Sequence, residues 1–178
     1  MQASSTFSLS RRQVLASAAG LALGRMAKAA GRKHFPISCG SWSYSEQFTS
    51  GKMDIFAFLD VCHKMKLDGV DINVQRCLKS TRPDYLKQVR GRGKEMALTI
   101  SLALVSTEFG RSAEGVAKES ATARSATKIG VALGAPVLRV MAGSPPSPDK
   151  REEVFRRMPD ALRQASECGA SLGILVAL

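Results

Sequence analysis

At 178 residues the chain has the size of one domain with a short appendage, and its 44% hydrophobic and 23% charged content is that of a globular protein, which argues against disorder. Five of the charges behind its net +11 sit in residues 1–32 (Arg11, Arg12, Arg25, Lys28 and Arg32) with no acid among them, which leaves 11 less 5, or +6, for the remainder. A spread-out excess and a 6% aromatic content speak against a nucleic-acid module built on a basic stripe or on stacking platforms. Clustering occurs only from Lys87 to Lys94 (KQVRGRGK), which reads as a solvated helix face rather than a phosphate site.

The first thirty residues read as an address. Ser10-Arg11-Arg12-Gln13-Val14-Leu15 sets paired arginines before an Ala-rich apolar run, Val14 to Leu23, and Ala27-Lys28-Ala29 has the small-x-small form of a cleavage site, with removal expected after Ala29. The run falls short of the roughly 20 apolar residues that span a bilayer. The S-R-R-x-V-L arrangement resembles the twin-arginine export signal, with Val14 where Phe is usual. That resemblance implies the twin-arginine export machinery as a partner and a bacterial protein exported to the periplasm or the exterior. An ordinary secretory signal or an uncleaved anchor is the alternative. Cys39, Cys62, Cys77 and Cys168 could pair in three ways in an oxidising compartment, but none has C-x-x-C spacing. Cys62 and Cys168 fall on apolar helix positions, so free core cysteines are expected.

Residues 30–178 alternate between strand and helix patterns. Pro36 to Trp42 reads as strand one. Asp54 can cap a helix with Ile55, Phe58, Leu59, Cys62 and Met65 on its buried stripe. Gly69 to Val74 is strand two, and Tyr85, Leu86 and Val89 mark a second helix that should end near Gly91 and Gly93. Ala97 to Val105 is strand three, 113–133 a third helix ended by Gly134, and Pro136 to Met141 strand four. Ser147-Pro148 suits the start of a fourth helix, with Val154, Met158, Leu162, Ala165 and Cys168 buried and a kink or restart at Pro159. Leu172 to Leu178 is strand five, an apolar run interrupted at Gly173. Five near-continuous apolar strands separated by four helices predict an α/β fold with a parallel sheet covered on both faces. There is no G-x-G-x-x-G after strand one and no phosphate-binding G-x-x-x-x-G-K-[ST].

ISCGSWSY, LDGVDIN, LGAPVLRVMAG and ECGASLGILVAL, in this order, resemble the first half of a sugar-phosphate isomerase/epimerase of the xylose isomerase-like TIM-barrel family. The resemblance runs from Pro36 to Leu178 and implies a partial (β/α)8 barrel with its site at the C-terminal strand ends. It further implies a divalent metal held by two glutamates, an aspartate and a histidine from the second half of the barrel, the first glutamate directly after strand five. The sequence reaches Leu178 without it. About half a barrel is therefore expected, with strands one and five as edges and no metal ligand assignable. A five-stranded flavodoxin-like α/β domain is the alternative.

Strand ends carry the candidate substrate-binding residues. Trp42 follows strand one and could stack on a sugar face or plug the core. Asp71 and Asn73 alternate in strand two, point to one face and could bond hydroxyls, and Asp71 could equally be structural. Arg139, a charge within the apolar strand VLRVM, must find a ligand or a partner, because isolated buried charge is costly; a carboxylate or phosphate suits its planar head, and Asp71 is its natural ion-pair partner. Ser106, Thr107 and Glu108 follow strand three, where the DNA-repair endonucleases of this barrel group place a histidine. His34 and His63 are both poorly placed for that role, which counts against DNA cleavage. The reaction implied is metal-assisted proton transfer beside a sugar carbonyl in a full-length form, on a small sugar-like substrate, with the catalytic residues unknown and this chain inactive alone. A non-catalytic carbohydrate-binding or interaction domain is the alternative, and a nucleic-acid enzyme the remotest reading.

Overall fold

Asp54 caps its helix as its position suggests, the carboxylate accepting the Ala57 N–H at 3.0 Å, and the helix it starts buries Ile55, Phe58, Leu59 and Cys62 completely. The computed structural model describes residues 35–109, 113–143 and 151–178; the leader with Arg11, Arg12 and Ala29, and the expected helix start at Ser147-Pro148, lie outside the described residues. Strand β1 (Ser38–Gly40) runs into a 3-10 turn (Ser41–Tyr44) and a short helix α1 (Ser45–Thr49), followed by α2 (Ile55–Lys64) and β2 (Gly69–Asn73). Then come α3 (Pro83–Glu95), β3 (Thr99–Leu104), α4 (Ala113–Leu133), β4 (Val137–Arg139), α5 (Arg151–Ser171) and β5 (Leu175–Ala177). The turn after β1 folds back on α2, where Tyr44 and Phe48 meet Phe58 edge-on at 5.6 and 5.9 Å.

All four strand pairs are parallel and the order is β1-β2-β3-β4-β5. Every strand therefore pairs with its neighbours in sequence. A flavodoxin-like sheet places β1 inside, in the order 2-1-3-4-5, so that alternative is excluded and the fold is a partial TIM barrel. Alternation then sorts the side chains. Val70, Ile72, Ala103, Val105, Leu138 and Val140 point to the helices and are buried, whereas Asp71, Leu102, Leu104, Val137, Arg139, Leu175 and Ala177 lie on the opposite, concave face and keep partial or full exposure.

Several expectations are corrected. Strand one is shorter than Pro36 to Trp42 because the chain turns at Ser41. Helix α3 passes through both Gly91 and Gly93 to Glu95; Gly93 is buried within it, and its carbonyl accepts the Leu98 N–H at 2.9 Å from beyond the helix end. Helix α5 is continuous through Pro159: the carbonyl that loses its N–H partner there belongs to Phe155, an exposed residue. Met65 is 57% exposed, since α2 ends at Lys64 and Lys66 turns left-handed at φ 56°. In the last strand Ile174 is buried, but Leu175 and Leu178 are 64% and 65% exposed. Gly173, at φ +74°, belongs to the turn before β5.

Candidate functional site

In a parallel barrel the loops that follow the strands gather at one end, and there the chain concentrates its polar side chains. The residue one step past β1, Ser41, is 1% exposed, and its hydroxyl accepts the Asn73 N–H at 2.9 Å, which ties the first loop to the end of β2. Trp42 then projects outward at 52% exposure. The Arg76 guanidinium sits 4.8 Å over its ring, a cation–π contact of about 0.5–1 kcal/mol at exposed sites. Trp42 is therefore not a core plug.

Asn73 is 1% exposed and its Oδ1 accepts the N–H groups of Gln75 and Arg76, both at 3.1 Å. It shapes the turn that presents Arg76, in the manner of an Asx turn. Its Nδ2 is buried without a hydrogen-bond partner, and such an orphaned donor is uncommon. Asp71 lies one pleat lower. The Ser101 hydroxyl donates to its Oδ1 at 2.7 Å and the Ser38 hydroxyl at 3.2 Å, leaving Oδ2 without a hydrogen bond. Ser101 reaches it because β3 is irregular here: Val70 pairs Ile100 but Asp71 pairs Leu102, and the extra residue swings its hydroxyl towards β2.

The expected pairing of Arg139 with Asp71 does not occur. Arg139 is exposed on the concave face, its Nη2 3.4 Å from the Met141 sulfur, flanked in register by Leu104 and Ala177. Among the described residues no strand lies opposite to bury it, so the physical demand for a buried partner disappears. Asn73, Leu104, Arg139 and Ala177 form one row across β2 to β5, and the structure thus sets Trp42, Asn73 and Arg139 at the same end, with Asp71 below.

The loops after β3 and β4 are stapled together. The Thr107 hydroxyl donates to the Met141 carbonyl at 2.5 Å and accepts the Met141 N–H at 2.9 Å. Gly143, at φ +85°, lies where a Cβ would come 2.8 Å from Glu108 Cα and 3.0 Å from its Oε2, so Glu108 is held at the same rim. The Gln75 side chain brackets Ser106, accepting its N–H at 3.0 Å and donating to its carbonyl at 3.4 Å. Arg76, Ser38, Ser101 and Gln75 contact these candidate residues or their loops, and pattern reading missed them. Gln75 and Arg76 were legible as polar residues directly after a strand, whereas Ser101 depends on an irregular register that no period-2 pattern shows.

No group of three His, Cys, Asp or Glu that could hold a metal ion occurs among the described residues. Asp71 already serves two serines, and the donor set of the described residues does not fit the divalent metal that the resemblance implies. The cysteines are all free. Burial pushes the Cys62 thiol up to about 12, reinforced by the adjacent Cys39 thiol, and burial likewise raises Cys77; both are inert core groups. Exposed His63 bonds the Met96 carbonyl through Nδ1 at 3.0 Å. Within the Lys87–Lys94 run, Arg92 is paired with Asp60 and Glu95 at 3.0 and 3.4 Å, and Lys87, Arg90 and Lys94 are exposed along α3. A cavity of about 490 Å³ between the β2–α3 loop and α4 is floored by Val74, Val105 and Ile129. The two valines belong to the helix-facing set, which places it outside the concave face.

No family model matches this sequence, and no curated protein matches it. Solved structures do. A xylose isomerase domain protein from Planctomyces limnophilus superposes with a TM-score of 0.56 at 15% identity, over 83% of this chain and 54% of that one. D-psicose 3-epimerase from Clostridium cellulolyticum, solved with D-tagatose, gives 0.64 at 12% identity over 80% and 52%. A sugar phosphate isomerase/epimerase from Parabacteroides distasonis gives 0.58 at 16% over 83% and 51%. The fold is thus a partial TIM barrel similar to the first half of these structures, and the chain spans about half of their length.

Proposed function

We propose that this chain supplies the first four βα units and the fifth strand of a sugar isomerase or epimerase, a protein that moves a proton beside the carbonyl of a small sugar-like substrate. The observation that carries the reading is the convergence of Trp42, Asp71 and Arg139 on the concave face and its C-terminal rim, in a fold whose chemistry sits at that end. Structures of the same fold include an epimerase solved with D-tagatose. In this reading Trp42 lies against the apolar face of the sugar, the unbonded Oδ2 of Asp71 receives a hydroxyl, and Arg139 orients the far end of the ligand. Asn73 shapes the loop that presents Arg76. A divalent metal is a component of the full barrel alone, and the residues described here take no step through it.

Incubation in D2O with a ketose, followed by NMR, tests the reading. The five-stranded chain is expected to bind the sugar without exchanging the proton beside the carbonyl. A protein that carries these elements and continues through the fifth helix and three further βα units is expected to exchange it when a divalent metal is added. Binding without exchange in that protein would instead leave a carbohydrate-binding or interaction domain. Export by the twin-arginine route belongs to the same proposal, supported by Arg11-Arg12, the Val14–Leu23 run and Ala27-Lys28-Ala29. Expression in a bacterium should yield a periplasmic product starting at Ala30, and Arg11→Lys with Arg12→Lys should hold it in the cytoplasm.

A further inference from the structure

We infer that Cys39 and Cys62 are a redox pair, closing to a disulfide that fastens α2 onto β1 when the chain meets a disulfide donor. The inference is independent of what the strand-end site binds. Helix α2 is the crossover between the parallel neighbours β1 and β2, so it packs over the outer faces of both strands. Cys39 is in register with Val70, which is fully buried on the helix side, and strand neighbours in register share a face. Cys39 therefore looks towards α2. Cys62 belongs to the inner stripe of that helix, with Ile55, Phe58 and Leu59, and is likewise fully buried. The heights match as well. Counted from the turn at 65–68, Cys62 lies two residues inside the helix end at Lys64, about 3 Å along the axis. Cys39 is level with Val70, one residue into β2, which is also about 3 Å. The two thiols are close enough that Cys39 adds to the burial that keeps Cys62 protonated. Cys77 is turned to the Ser41 hydroxyl instead, and Cys168 sits on α5, beside the far end of the strand order.

The oxidant is a small disulfide, such as oxidised glutathione. Cys39 is partly exposed whereas Cys62 is buried, so the Cys39 thiolate is the one that meets the donor. It attacks one donor sulfur, the donor S–S bond breaks, and one glutathione leaves as its thiolate. Cys62 then gives up its proton to solvent and attacks Cys39 Sγ; the protein S–S bond forms and the second glutathione leaves. Two protein thiols have lost two electrons and two protons, and one disulfide has become two thiols. Burial makes Cys62 inert towards reagents in solution. It does not shield Cys62 from a sulfur already held beside it, where the second step is intramolecular. The bond closes the loop from 39 to 62, which restricts the unfolded chain and so stabilises the fold. It also fixes the root of the turn that carries Ser41 and Trp42. Export by the proposed route would take the chain to a compartment where such donors prevail.

Oxidation of the reduced chain with glutathione disulfide, under native conditions, tests the pair. Peptide mapping should join Cys39 to Cys62 and find Cys77 reduced. The urea midpoint should rise by roughly 1 M and return to its reduced value on adding dithiothreitol. Cys62→Ala should stop at a glutathione adduct on Cys39, Cys39→Ser should leave Cys62 a free thiol, and Cys168→Ser should still form the bridge. The midpoint rise should be absent from the first two variants and present in the third. A parent chain in which Cys39 and Cys62 both stay reduced would overturn the inference. So would an adduct on Cys39 that never resolves in the parent, or a bridge that maps to any other pair. A Cys39–Cys62 bridge that forms in urea but not in buffer would overturn it too, because the two sulfurs would then not meet in the fold.

Discussion

The carboxylate of Asp54 does two jobs at the start of α2: it caps the helix at the Ala57 N–H and receives Lys79 Nζ at 3.1 Å. The Ala57 bond, aided by Lys79, holds it below its ordinary value of 3.8 against the opposing effect of burial. A lowered acid stabilises the fold above its ordinary value, and that contribution is lost as pH falls through the lowered one. Asp54→Ala should therefore cost about 1 kcal/mol at neutral pH, measured by urea unfolding, and the gap to the parent should narrow below about pH 4. The exposed Lys79 contributes little to that figure. At the same scale, the four candidate binding residues were legible because they stand at or near strand ends. What they do was not: Asn73 turned out to shape a loop, and Arg139 lost the partner assigned to it, because a sequence period shows which face a side chain takes but not whether anything covers that face.

Helices and strands were legible in order and kind because each apolar stripe is regular over its whole length, and the ends were less so where one glycine can mean two things. In α3, Gly91 and Gly93 read as terminators, yet the helix continues through both. A Cβ on Gly91 would meet nothing within 4 Å, so Gly91→Ala should stabilise the protein by about 0.5–1 kcal/mol, seen as a rise in the urea midpoint. Gly169 near the end of α5 is the opposite case. A Cβ there would lie 2.5 Å from Val176 Cγ2 and 2.7 Å from the Ile174 carbonyl, so the helix can approach β5 only without a side chain. Gly169→Ala should cost about 1–3 kcal/mol through that overpacking, and a gain in stability would refute the close approach of α5 to β5.

Over the whole molecule, the alternation along β5 separates a packed layer from an open one. Ile174 is 3% exposed and Leu175 64%, so Ile174→Ala should cost about 2–4 kcal/mol while Leu175→Ala should stay within about 0.5 kcal/mol. Equal losses would mean that both faces of this strand are covered in solution. The α/β class and parallel sheet followed from strands and helices that alternate. The order of the strands did not, since the same alternation suits a flavodoxin-like sheet.

A sheet in which each strand pairs only with its neighbours in sequence has no long-range stitch that locks its first element to its last. Its cohesion is local and passes from unit to unit, so opening should begin at the outer strands and work inwards. Amide hydrogen exchange should show this as a gradient, slowest at Val70, Ile72 and Ala103 in the paired centre of β2 and β3 and fastest at Ser38 and Val176. The same chain can also form each pair as soon as the next strand leaves the ribosome, with no need to wait for a distant partner.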